Sequence, residues 1–124
     1  MENTVIKNAP FQQRLNWAVQ GIVSAYRGEH SFRTQIRIAV VTITVLAILR
    51  PGWIWTAVIL SLVGLVLMAE LFNTALEALI DGLHPAQAGF VRKAKDCAAG
   101  AVLLASLAAL ASGLAMFLDV FFGK

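Results

Sequence analysis

The side chains of this sequence suited to ionic chemistry are Glu29, Glu70, Asn73, Glu77, Asp81, Lys95 and Asp96. The densest group lies in the stretch ELFNTALEALID, residues 70–81. Glu70, Asn73 and Glu77 are spaced i, i+3 and i+7, and Asp81 follows Glu77 at i+4, so a helix presents all of them on one face. Like charges on one face repel. Ionised carboxylates beside lipid need a cation, a basic side chain or water to compensate them. A divalent ion meets that need, because hard cations take carboxylate and amide oxygens, and magnesium often uses one or two carboxylates with phosphate oxygens. The structural alternative pairs these acids with Arg27, Arg33, Lys93 and Lys95, or turns them toward headgroups. Asp81, at the helix end, is assigned to that alternative. Glu70, the deepest, is assigned to function, together with Asn73 and Glu77.

Other chemistries lack their spacing. His30 and His84 are scattered, and Ser24, Ser31, Ser61, Ser106 and Ser112 have no His/Asp arrangement that would serve acyl transfer. Neither GxxxxGK[ST] nor GxGxxG occurs, which sets aside the familiar soluble nucleotide folds. Cys97 is the only cysteine, so no intrachain disulfide forms and the redox compartment stays open. Lys95-Asp96 taken alone reads as an interfacial anchor followed by an acid at a helix N-terminus.

The elements that must position these groups are helices in lipid. Hydrophobic residues make up 59% of the 124 and charged residues 14%, against roughly 45–50% and 25% in soluble domains; the mean hydropathy is +0.76. The net charge of +3 does not point to nucleic acid, since the basic residues cluster at the ends of apolar runs. Residues 1–10 carry no periodic pattern and read as a loose N-terminus, and no signal peptide is legible there. Phe11, Leu15, Ala18, Ile22 and Tyr26 recur at helical spacing with polar residues between them. That predicts an amphipathic helix over about 11–28, lying on the membrane surface or packed on its own protein.

GEHSFRTQIR (28–37) reads as a charged junction, and the first span follows over about 33–49, lengthened by snorkelling of Arg33 and Arg37. Arg50-Pro51-Gly52 is a turn. Trp53 and Trp55 mark a membrane boundary, and a second span runs over about 53–81. DGLHPAQAG (81–89) reads as a loop with Gly82 and Pro85 as breakers. A third span, about 92–119, is opened by Arg92, Lys93, Lys95 and Asp96 and carries the small-residue stripe Ala101, Ala105, Ala109, Gly113. Such stripes permit close helix approach in lipid, while alanine is also simply a good helix former. Arg14, Arg27, Arg33, Arg37, Arg92, Lys93 and Lys95 fall on one side, Arg50 and Lys124 on the other. The N-terminus and the 81–96 segment are therefore expected in the cytoplasm and the C-terminus outside.

Depth follows from this topology. Glu70 lies seventeen residues after Trp53, about 25 Å at ~1.5 Å per residue, in a hydrocarbon core about 30 Å thick. Glu70 thus sits just inside the cytoplasmic edge, with Glu29 and Lys95-Asp96 reaching the same level from the other spans.

ELFNTALEALID, followed by AKDCAAGAVLL (94–104) and preceded by WAVQGIVSAYRGEHSFR (17–33), resembles the small prokaryotic integral-membrane lipid kinases, diacylglycerol kinase and undecaprenol kinase. The resemblance covers roughly residues 14–118. It implies an all-α membrane protein with a surface helix and three spans in a single domain over 1–124, assembled as a homotrimeric helical bundle in the inner membrane. It also implies transfer of the γ-phosphate of ATP, with magnesium, to the hydroxyl of a membrane lipid alcohol. By matching positions, Glu70 would be the catalytic base at the lipid hydroxyl, and Glu29 and Glu77 would hold magnesium. Asn73, Lys95 and Asp96 would join Glu29 and Glu77 around the nucleotide. Diacylglycerol is the expected acceptor; DCAAGAV (96–102) and the His84-Pro85 loop favour undecaprenol as the alternative. Two other classes compete: a small multidrug transporter, which expects four spans and a mid-membrane acid, and a non-enzymatic assembly subunit, which leaves the acids unexplained.

Overall fold

A computed structural model describes residues 8–84 and 88–123; residues 1–7, residues 85–87, including Pro85 of the expected loop, and Lys124 lie outside the described residues. Those residues form α1 (Phe11–Gly28), α2 (His30–Leu49), α3 (Trp53–Leu83) and α4 (Gly89–Phe122), and no strand occurs among them. The last three are long and apolar enough to cross a membrane. The fold is all-α and membrane-embedded.

The connections explain the path. Glu29 alone joins α1 to α2 in an extended conformation (φ −109°, ψ 119°). Its amide closes α1 by donating to the Ala25 carbonyl at 2.8 Å. The Arg33 guanidinium then donates to the Tyr26 and Arg27 carbonyls at 3.0 and 2.9 Å, satisfying acceptors that a helix end leaves unpaired. The charged junction expected over 28–37 is therefore a one-residue elbow, and α2 begins at His30 rather than near 33. At the far end Arg50 takes the left-handed conformation (φ 47°) and Gly52 a φ of 98°, which glycine adopts without steric cost.

Two expectations about the other turn change. Gly82 does not break α3, which continues to Leu83, and α4 begins at Gly89. The described part of the 81–89 loop thus shrinks to its ends, where His84 stacks on Phe90 with ring centroids 5.1 Å apart. Lys95 and Asp96 consequently lie beyond the first turn of α4, so Asp96 is not an N-terminal dipole residue.

α3 packs most extensively on α4, and α2 packs on α3, while the backbones of α2 and α4 stay apart among the described residues. Leu46, Ile59 and Met116 form the small interior cluster, with Leu49, Trp55, Val63 and Val120 around it. Large side chains such as Ile48, Leu104 and Leu110 stay exposed at 71–73%, which in water would be costly and in lipid is not. Between α2 and α4 this leaves an apolar groove of about 610 Å³ floored by α3. A Cβ on Gly113 would meet nothing within 4 Å, so this member of the small-residue stripe is not needed for close packing inside this chain.

Trp55 Nε1–H donates to Asp119 Oδ2 at 2.7 Å, joining the start of α3 to the end of α4. Trp55→Phe keeps an aromatic ring but removes the donor together with the pyrrole part of the indole. It is expected to lower stability by about 1 kcal/mol, read as a lower midpoint in denaturant unfolding of the micelle-embedded protein.

Candidate active site

α3 carries the polar face because its apolar run continues, without interruption, into ELFNTALEALID. Glu70 is the buried charged residue of the described chain, at 3% exposure. Its carboxylate Oε2 accepts a hydrogen bond from the Ser31 hydroxyl at 3.2 Å, across from the first turn of α2. That contact brings the elbow residue Glu29 to the level of Glu70, since Glu29 immediately precedes α2. Phe32, beside Ser31, is 1% exposed and anchors this turn.

One helical turn on, Asn73 is half-buried and its Oδ1 is a buried acceptor without a hydrogen-bond partner among the described residues. A buried amide oxygen costs about 1–3 kcal/mol when unpaired, so it is set for a cation or an incoming donor. Glu77, also half-buried, lies a further turn along the same face. Asp81 is exposed and accepts from Lys95 Nζ at 2.6 Å, tying the end of α3 to the start of α4. This is the pairing expected of a helix-end acid. Asp96 faces Arg92 at 3.8 Å on the exposed side of α4, a pair that contributes little in solvent.

The structure therefore joins Glu70 to α2 and Lys95 to Asp81, and leaves Asp96 apart from both pairs. Among the described residues, no three His, Cys, Asp or Glu side chains converge to hold a metal ion. The donor set still suits magnesium, which takes one or two carboxylates and completes its shell with phosphate and water oxygens; the unpartnered Asn73 oxygen adds a hard donor.

Ser31 joins the site although its spacing carries no His/Asp partner that would mark a reactive serine. The readable signal was its place next to Phe32, at the start of the span that faces Glu70.

Comparison with known proteins gives the family. The family described as prokaryotic diacylglycerol kinase matches residues 16–117. A diacylglycerol kinase of Synechocystis is 39% identical over 101 residues, covering 81% of this chain and 57% of that protein. A diacylglycerol kinase of Pseudomonas aeruginosa is 30% identical over 89 residues, covering 72% of each. The chain thus spans a little over half the length of the first relative. A membrane-embedded all-α chain with a buried carboxylate facing the first turn of α2 is the class defined by fold and site. Within that class, the chain belongs to the prokaryotic diacylglycerol kinase family. The transporter reading, which needs four spans, meets three such helices among the described residues.

Proposed function

We propose that this protein transfers the γ-phosphoryl group of ATP to the hydroxyl of diacylglycerol, giving phosphatidic acid and ADP at the cytoplasmic face of the inner membrane. The observation that carries the reading is Glu70: a carboxylate 3% exposed, facing the first turn of α2, and held by a hydroxyl rather than by a cation among the described residues. Such a group can accept a proton from an alcohol that stays in the bilayer.

In the reaction Glu70 takes the hydroxyl proton, the lipid oxygen bonds to the γ-phosphorus, and the bond to the β–γ bridging oxygen breaks, releasing ADP. Phosphoryl transfer depends mainly on positioning and on neutralising charge. Glu29, Glu77 and Asn73 would hold magnesium, which when bound offsets the charge of the ATP phosphates. Lys95 would meet the nucleotide, with Asp81 orienting its ammonium; Asp96, one residue on, would complete the contact.

The N-terminus and the site face the cytoplasm in this reading, and the C-terminus lies outside. Three copies would form the working bundle. The scarcity of buried residues and the absence of a three-acid cluster among the described residues both suit a site completed by a neighbouring copy.

The acceptor is tested by giving the purified protein MgATP with diacylglycerol or with undecaprenol in mixed micelles. Higher kcat/KM for diacylglycerol is expected; a preference for undecaprenol assigns the alternative acceptor.

A further inference from the structure

Four threonine hydroxyls in these helices return to their own backbone. Thr34, Thr42, Thr44 and Thr56 each donate to the carbonyl four residues before, at 2.8–3.2 Å, the usual local habit of such side chains. For Ser31 that carbonyl belongs to Arg27, and it already accepts the Arg33 guanidinium at 2.9 Å. The Ser31 hydroxyl instead crosses to α3 and donates to Glu70 Oε2 at 3.2 Å. It is the one side-chain hydrogen bond reaching Glu70 among the described residues.

We propose that Ser31 is a positioning residue for Glu70: its hydroxyl fixes the carboxylate plane through Oε2 and leaves Oε1 to take the proton of the lipid alcohol. The proposal rests on Glu70 acting as the base. A terminal carboxylate rotates in a broad, two-fold well, so without a partner Glu70 would present its oxygens at many angles. Water is a poor substitute where the residue is 3% exposed. A hydroxyl orients the group without neutralising it, whereas a guanidinium or ammonium in its place would weaken the base. The turn that carries Ser31 is itself held, by Phe32 at 1% exposure and by the Arg33 fork over the end of α1. The elbow at Glu29 thus serves the base as well as the surface helix.

The test uses the full chain in mixed micelles with MgATP and diacylglycerol, comparing Ser31→Ala, Ser31→Thr and Glu70→Gln. Ser31→Ala is expected to lower kcat about tenfold, the order set by losing a hydrogen bond to a charged group. KM for ATP and for the lipid should stay within about twofold, since the contact acts on the reacting geometry and not on binding. Ser31→Thr keeps the hydroxyl and should recover most of the lost kcat. Wild-type kcat in Ser31→Ala beside an inactive Glu70→Gln overturns the role of Ser31 alone. A loss that Ser31→Thr does not recover, or one carried by KM, also overturns it. An active Glu70→Gln removes the base itself, a separate failure.

Discussion

Glu70→Gln is expected to lower kcat by about 10²–10⁴-fold, the range of a positioned general base, while the protein keeps its fold. The amide has nearly the shape of the carboxylate, and its oxygen can still accept the Ser31 hydroxyl that reaches Oε2 at 3.2 Å. What it cannot do is take a proton. The stability readout moves the other way from the activity readout. A carboxylate at 3% exposure with one neutral side-chain donor among the described residues carries a desolvation cost that an amide largely avoids, so thermal unfolding of the variant should be unchanged or higher. Loss of turnover with unchanged or raised stability separates chemistry from misfolding. Near-normal turnover would remove Glu70 as the base.

The second large effect concerns the cation. Glu77→Gln and Glu29→Gln each replace a charged oxygen donor by a neutral one, and hard cations lose affinity with each charge removed. The magnesium concentration for half-maximal rate is expected to rise about tenfold or more, on the scale on which metal-site contacts matter. Part of kcat should return at high magnesium. Asp96→Asn, whose acid faces Arg92 on the exposed side, provides the contrast and should shift that concentration little. A magnesium titration of initial rates checks all of these. Equal shifts at Glu77 and Asp96 would remove Glu77 from the ion.

The polar face of α3 was legible because i, i+3 and i+7 spacing in an apolar run leaves one arrangement open. The elbow was not. A one-residue connection at Glu29 depends on Arg33 reaching back six and seven residues to the carbonyls of α1, a bond that periodicity does not see. Gly82 misled for a related reason. Glycine costs about 1 kcal/mol in a helix, but α3 is held there by packing on α4 and by the Lys95–Asp81 pair one residue away. The Ser31–Glu70 contact spans 39 residues, and only the packing of α2 on α3 brings it about. Family motifs, by contrast, were readable in full: the segments around Glu29, Glu70 and Lys95 carry the resemblance, and residues 16–117 match the family.

The most direct measurement is phosphoryl transfer itself. Purified wild-type protein and Glu70→Gln are incubated with γ-labelled ATP, magnesium, and either diacylglycerol or undecaprenol in mixed micelles, and the lipid phase is analysed for label. Label is expected in lipid phosphate with the wild-type protein, dependent on magnesium, and at most in traces with Glu70→Gln. A folded wild-type protein that labels neither alcohol would contradict the account.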